Sequence, residues 1–218
     1  MEKFEGIQKN KDGILTVLPV VTLDELYVDA DCPAVITESI GRAAVWQVRN
    51  ETSVEKAVSA PSLLPELTIG LLAMDVKVLL DDGVQVPMSE FVQKSGKRGK
   101  MAALLIANDR CAATARLGVS PTSEPIVAVA ASVDVSDGKV KEICVALTGV
   151  WSGRKWLAES VQSFTGTEIA HLDVAQVVDA VMEEVKPIGD YLGSVEYRRT
   201  MAGVLTRQAL EACLKGAK

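Results

Sequence analysis

The chain has 218 residues, which is enough for one large domain or two small ones, each with a hydrophobic core of its own. Hydrophobic residues make up 48% of it, and its net charge of -6 at pH 7 comes with Lys and Arg residues that are scattered rather than clustered. This composition predicts a globular protein and excludes a phosphate-binding surface of the nucleic-acid type. The charged N-terminus and the lack of a long apolar run predict a cytoplasmic protein that does not contact a membrane.

The cysteines and the single histidine do not form a metal-binding pattern. The four cysteines lie far apart without a Cys-x-x-Cys pair, so neither a zinc site nor an iron-sulfur site is predicted. Buried thiols are the favoured interpretation of Cys32, Cys111, Cys144 and Cys213. His171 follows a short loop, and we interpret it as structural rather than as a catalytic base.

The first half of the chain alternates short strands with short helices. Thr22 and Glu25 have the spacing of a capping box and predict the start of a helix. The hydrophobic periodicity predicts the remaining elements. They are a strand at 13–19, helices at 32–42 and 67–74, a hairpin of 76–80 with 84–86, and a turn into a helix at 87–91.

The second half reads as three strands followed by helices. The strands are predicted at 111–117, 126–135 and 140–147, and the Asp137-Gly138 pair predicts a tight hairpin between the last two. Helices are predicted at 155–164, 173–185 and 194–215. Strands followed by helices indicate an α+β module, with a domain boundary that separates residues 1–107 from residues 108–218.

Residues 95–100 form a basic, glycine-containing segment before the apolar run 101–106. A solvated loop is favoured over a phosphate clamp, because the spacing of a P-loop is absent.

Several motifs taken in order carry a family resemblance. They are DGILTVLPVVTLDEL, QVRN, LLAMDVKVLLDDG, VPMSEFV and GSVEYRRTMAGVLTRQAL, of which the last is the most specific. With these motifs the whole chain resembles the FAD-binding (medium) subunit of molybdenum hydroxylases, the family of carbon monoxide dehydrogenase and xanthine dehydrogenase. The resemblance implies the second half of a molybdopterin-dehydrogenase-type FAD-binding domain, followed by a three-stranded antiparallel sheet packed on a helical bundle. It also implies that the first flavin subdomain, with its glycine-rich loop, is absent from this chain.

The resemblance also implies a cofactor loop within residues 47–75. The positions that match the family's flavin loop are Arg49, Asn50, Ser53, Val54 and Glu66. Glu55 and Lys56 replace the two glycines of that loop, and Ala57 replaces its asparagine. We expect these side chains to obstruct the diphosphate of FAD, because glycine permits a close approach of backbone N–H groups and positive φ. A residue other than glycine in the left-handed conformation costs about 1 to 2 kcal/mol.

Two functions follow from this interpretation. The first is a truncated or degenerate flavin-subunit relative that does not bind FAD alone, in a system where electrons pass from iron-sulfur clusters through FAD. Its partners, by resemblance, are a molybdenum-binding large subunit and an iron-sulfur small subunit, with a separate chain as an alternative source of the missing subdomain. The second is a cofactor-free scaffold that docks partners through its C-terminal domain, for which exposure of Trp151 or Trp156 would be a sign. No catalytic residue and no metal ligand is predicted.

Overall fold

The computed structural model describes residues 6–93, 99–107, 110–120, 123–153 and 155–216. The chain forms two compact units, residues 1–108 and residues 109–218. Each unit contains an antiparallel sheet with helices packed on it, so the α+β prediction is confirmed. The predicted basic loop at 95–100 lies outside the described residues, apart from Gly99 and Lys100.

The first unit contains a five-stranded sheet in the order β1-β2-β5-β3-β4, in which every pairing is antiparallel. Its strands are β1 (Ile7–Lys9), β2 (Leu15–Val17), β3 (Lys77–Leu80), β4 (Gln85–Pro87) and β5 (Met101–Ile106). Its helices are α1 (Leu23–Val28), α2 (Ala34–Ala43), α3 (Trp46–Glu51), α4 (Val54–Ser59), α5 (Pro65–Ala73) and α6 (Met88–Gln93). The hairpin predicted at 76–86 is therefore confirmed as β3 and β4.

Two local features explain where helices of the first unit begin and how closely they pack. The predicted capping box is confirmed, since the N–H of Thr22 donates to Glu25 Oε2 over 2.7 Å and the N–H of Glu25 donates to Thr22 Oγ1 over 3.2 Å. Helix α5 is buried along almost its entire length and packs on α2. At the contact a Cβ on Gly70 would lie 2.6 Å from Ser39 Oγ, so only glycine permits this approach.

The second unit contains a three-stranded antiparallel sheet in the order β6-β7-β8. The strands are β6 (Cys111–Gly118), β7 (Pro125–Ser136) and β8 (Lys139–Thr148), and the two α-helices are α7 (Val174–Glu184) and α8 (Val195–Gly216). Helix α8 packs across β6 and β7, and α7 packs on α8. The turn between β7 and β8 has φ of 54° at Asp137 and 73° at Gly138. Positive φ at both central residues is typical of a tight hairpin, which confirms the prediction.

The helix predicted at 155–164 is wrong for its first half. Leu157 pairs with Ala146 as an isolated antiparallel bridge, and the N–H of Leu147 donates to the carbonyl oxygen of Trp156 over 2.7 Å. Only Ser160–Phe164 is helical, as a 3-10 turn. The open edge of β8 offers hydrogen bonds that an extended segment can use, and this tertiary pairing overrides the helical spacing of the apolar residues.

Candidate functional site

The residues that match the flavin loop lie on α3, α4 and the start of α5, in the first unit. The chain segment before α1 runs beside the segment before α4: Thr22 is bridged to Ser53, and the N–H of Leu23 donates to the carbonyl oxygen of Thr52 over 2.9 Å. This pairing fixes how α4 begins. It brings the carbonyl groups that precede α1 close to the N–H groups that open α4.

The first turn of α4 has its backbone donors in use within the chain. The N–H of Val54 donates to the carbonyl oxygen of Val21 over 2.8 Å, and the N–H of Glu55 donates to that of Pro19 over 3.1 Å. Ser53 is the N-cap residue, and its Oγ accepts from the N–H of Lys56 over 3.3 Å. A helix start binds an anion through N–H groups that have no other acceptor. Here the N–H groups of Val54, Glu55 and Lys56 already have acceptors within the chain.

The expectation that Glu55 and Lys56 are forced into a left-handed conformation is wrong. Both lie in the first turn of α4, and the residues other than glycine with positive φ in the described part of the chain are Asp75 and Asp137. The physical reason is that Ser53 caps a regular helix here, and the carboxylate of Glu55 is favourable near a helix N-terminus. Glu55 and Lys56 therefore lie in a regular helix rather than in a strained loop.

Arg49 and Asn50 make contacts within the first unit. Arg49 Nε donates to Asp24 Oδ1 over 2.9 Å, and its guanidinium carbon lies 4.3 Å from the ring centre of Tyr27. Asn50 Nδ2 donates to the carbonyl oxygen of Trp46 over 2.8 Å. Arg49 thus ties α3 to α1, while Asn50 bonds within its own helix. These hydrogen bonds help to hold the two short helices in place.

Two further positions of the predicted loop are part of the core. Val54 is fully buried, and Glu66 is 4% exposed in the first turn of the buried helix α5. The structure thus brings Ser53 and Val54 together at the start of α4, but it places Arg49 and Asn50 on α3 and Glu66 on α5. The hydrogen bonds described for Arg49, Asn50 and Ser53 are with other groups of the first unit, which sequence spacing alone did not reveal.

The motif that opens α8 contains a buried arginine, Arg198. Its Nη1 donates to the carbonyl oxygens of Ile126 and Gly149 over 2.5 and 2.9 Å, and its Nη2 donates to Asp190 Oδ2 over 2.7 Å. The hydrogen bond from Arg198 lowers the pKa of the Asp190 carboxyl. Gly149 has φ of 81°, and a Cβ there would overlap the carbonyl oxygen of Ile126. Arg198 therefore joins the sheet, the loop after β8 and the turn before α8.

The turn before α8 exposes an aromatic side chain that the sequence analysis missed. Asp190 Oδ1 accepts from the N–H groups of Leu192 and Gly193 over 2.9 and 3.1 Å, which closes the turn. Tyr191 at its tip is 94% exposed, whereas Trp151 and Trp156 are both half-buried. The spacing of Asp190 and Gly193 in the sequence is typical of such a turn and could have predicted it.

An open pocket of about 450 Å³ lies in the second unit. It is lined by Trp151, Ser152, Lys155, Glu183, Glu184 and Lys186. Lys155 Nζ lies 2.7 Å from Glu184 Oε1 and 4.9 Å from the centre of the Trp151 ring. Burial disfavours the Glu184 carboxylate, but hydrogen bonds from Lys155 and from the residues that open the 3-10 turn outweigh it and lower its pKa to about 2. The charges of Lys155 and Glu184 in this pocket are therefore paired with each other.

The prediction of buried thiols is confirmed for Cys32 and Cys213, whereas Cys111 and Cys144 are only half-buried. All four cysteines are thiols, and burial raises the pKa of Cys32 and of Cys213 to about 12. His171 is exposed, with Nδ1 3.2 Å from Glu168 Oε2. Within the described ranges no group of three or more His, Cys, Asp or Glu side chains has the arrangement of a metal site. Nor does any described helix combine the length and the apolarity needed to cross a bilayer.

Comparison with known proteins finds similarity in sequence and in fold. Residues 123–213 match the model of the CO dehydrogenase flavoprotein C-terminal domain. The uncharacterized protein YgfM of Escherichia coli (strain K12) is 24% identical over 202 residues, which are 93% of this chain and 74% of that protein. The family-model match confirms the resemblance to a CO dehydrogenase flavoprotein for residues 123–213, and the solved structures below show that the fold is shared along nearly the whole chain.

Two solved structures share the fold along nearly the whole chain. Carbon monoxide dehydrogenase from Hydrogenophaga pseudoflava, in a form that lacks the Mo-pyranopterin moiety of the molybdenum cofactor, matches with a TM-score of 0.80 at 20% identity. That match covers 96% of this chain and 78% of the other. Quinoline 2-oxidoreductase from Pseudomonas putida 86 matches with a TM-score of 0.78 at 18% identity, over 97% of this chain and 78% of the other.

Proposed function

We propose that this relative of the CO dehydrogenase flavoprotein is a subunit of a molybdenum hydroxylase system that does not hold FAD on its own. In this proposal residues 1–107 are the second half of a FAD-binding domain, and residues 108–218 are the flavoprotein C-terminal domain. Its partners are a molybdenum-binding large subunit and an iron-sulfur small subunit. A cytoplasmic location is part of the proposal, because the cysteines are thiols.

One observation carries the proposal: the N–H groups that open α4 are bonded within the chain. The carbonyl oxygens of Pro19 and Val21 and the Oγ of Ser53 accept from these N–H groups, which a diphosphate would need as its own donors. A bound diphosphate would have to displace these acceptors, and each lost hydrogen bond would have to be replaced.

Charge at the same turn adds to this argument. The carboxylate of Glu55, in the first turn of α4, would repel the dianionic linker of FAD. Lys56 follows it as a flexible point charge and does not replace two fixed backbone donors. In enzymes that use a flavin, the cofactor performs the redox chemistry and the protein positions it. A chain that does not hold the flavin therefore contributes structure rather than electron transfer.

Two versions of this function remain distinct. In the first, a separate chain supplies the other flavin subdomain, and FAD binds only to the pair. In the second, the chain is a degenerate subunit kept for assembly of the other two. The versions differ in whether flavin is present in the purified complex.

The test is a flavin titration of the purified chain. The visible absorption spectrum is recorded before and after incubation with FAD and removal of unbound cofactor by gel filtration. We expect no flavin absorption band at a stoichiometric level in either sample. A stoichiometric band would overturn the proposal that the chain alone does not hold FAD.

Purification from the native host tests the partners separately. We expect the chain to elute with a molybdenum-containing subunit and an iron-sulfur subunit. If the chain elutes without either subunit, the proposed role in assembly is refuted. Flavin in an intact complex, together with none in the isolated chain, favours the version with a separate flavin subdomain.

A second candidate function is a cofactor-free scaffold that docks partners through the C-terminal domain. Tyr191 favours it, because it is fully exposed on a turn held by Asp190 and Arg198. A rigid, exposed aromatic side chain is typical of binding hot spots. Tyr191→Ala tests this candidate, since it should weaken partner binding without changing thermal stability.

A further inference from the structure

Helices α1 and α3 expose apolar side chains that a folded domain ordinarily buries. Helix α3 has no buried residue, and Trp46 at its start is 62% exposed. We define the α1–α3 surface by five exposed side chains, which are Tyr27, Val28, Val45, Trp46 and Val48. Scattered single exposed apolar residues are ordinary, but a group on two adjoining helices marks an interaction surface.

The contacts of Arg49 link the two helices that carry this surface. Its guanidinium lies over the Tyr27 ring and bonds to Asp24, so α3 is fixed against α1. Val45 and Trp46 precede Arg49 by four and three positions and therefore lie on the same side of α3. A partner would thus meet a preformed surface and would not have to order it.

The charge around these side chains is strongly negative. Residues 24–55 contain seven acidic residues and two arginines. Both arginines already pair with acids of the same segment: Arg49 with Asp24 at 2.9 Å and Arg42 with Glu38 at 3.4 Å. The neighbouring Glu51, at the end of α3, is exposed. Lys9 pairs with Asp31 over 2.7 Å, so the segment together with this lysine has a net charge of -4, against -6 for the whole chain.

This charge decides among the occupants of the surface. Nucleic acid and anionic lipid headgroups would be repelled. A second copy placed symmetrically would bring the same negative rim against itself. We propose that the α1–α3 surface docks a different protein, through a surface with an apolar centre and a rim of Lys and Arg. The proposal stands on these exposed side chains and charges, so a flavin-binding result in either direction leaves it unchanged.

Site-specific photocrosslinking in the native host tests the proposal. Trp46→p-benzoylphenylalanine is introduced into the full chain, and the crosslinked peptide of the partner is identified by mass spectrometry. The same substitution at Val119, a 72% exposed apolar residue of the second unit, is the matched control. We expect a crosslink from position 46 to a peptide that has Lys or Arg residues beside apolar ones. No crosslink at position 46, a crosslink to a second copy, or a crosslink to an acidic peptide would overturn the proposal.

Binding of the identified protein then measures the contribution of each feature. We expect Trp46→Ala to raise Kd by about tenfold or more, because truncation of an aromatic hot spot weakens binding by this amount. Glu51→Lys should slow association and reduce its dependence on salt. Because Trp46 is exposed, its truncation should leave the thermal midpoint unchanged, which separates lost binding from lost folding. Docking at this surface would be refuted if Trp46→Ala left Kd unchanged. It would also be refuted if only Tyr191→Ala raised Kd.

Discussion

The backbone N–H of Glu55 donates to the carbonyl oxygen of Pro19 over 3.1 Å. A segment that precedes α1 thus supplies an acceptor to the helix start where the resemblance implies a diphosphate. The identity of residue 55 matters less than this bond, because the donor belongs to the backbone and is present in any residue except proline.

Restoring the glycines should therefore not restore a flavin site. We expect Glu55→Gly with Lys56→Gly to leave the chain without FAD, because the N–H groups of α4 keep their acceptors. Two glycines in a helix should also lower the free energy of unfolding by about 1 kcal/mol. Gel filtration with FAD and urea unfolding measure the two effects. The double alanine variant keeps the helix and serves as the control, and FAD that coelutes with the glycine variant would refute the argument.

Arg198→Ala should destabilise the second unit by about 2 to 4 kcal/mol, because it leaves the buried carbonyl oxygen of Ile126, the carbonyl oxygen of Gly149 and Asp190 Oδ2 without this donor. Urea unfolding measures the loss. Arg199→Ala is the matched control, since Arg199 is the next residue on α8 and is only half-buried. Equal losses in the two variants would show that the buried network contributes nothing specific.

The carboxylate of Glu184 should make stability depend on pH. Its pKa is about 2 in the folded chain against an ordinary value of 4.5. A lowered folded pKa means that the stabilisation is fully present above pH 4.5 and is lost as the pH falls toward 2. The unfolding midpoints of the wild type and of Glu184→Gln should therefore differ most above that window and converge within it. Glu183→Gln, at an exposed neighbouring position, is the control for the loss of one negative charge from α7.

Gly149→Ala should lower the free energy of unfolding more than most other glycine-to-alanine substitutions in the chain. The added Cβ would overlap the carbonyl oxygen of Ile126 in addition to occupying a left-handed conformation, at φ of 81°. Gly166 has φ of 86° but open space around it, so Gly166→Ala isolates the conformational cost of about 1 kcal/mol. Thermal unfolding of both variants measures the difference. A Gly149→Ala variant no less stable than Gly166→Ala would mean that the backbone yields at this contact.

Predictions based on contacts between near neighbours were confirmed. The capping box of Thr22 and Glu25 and the turn at Asp137 and Gly138 both follow from residues that lie within a few positions of each other. Their side chains and allowed φ angles act on the same short stretch of backbone, so the sequence contains the required information.

Predictions that ignored distant partners were wrong. The extended segment at Trp156 and Leu157 depends on the open edge of β8, and the helical conformation of Glu55 depends on how the chain before α1 lies beside α4. Neither partner is close in sequence. Hydrogen bonds to such partners outweigh the weak local preference of a few residues.

The sequence by itself determined the α+β class, the hairpins and most helices, because periodicity and turn chemistry are local properties. Only the tertiary structure decided which groups are still available for binding. It commits Arg49, Ser53 and Arg198 to internal contacts, and it leaves Trp46 and Tyr191 exposed. Availability depends on neighbours that are brought together from distant parts of the chain, and residue types alone do not specify those neighbours.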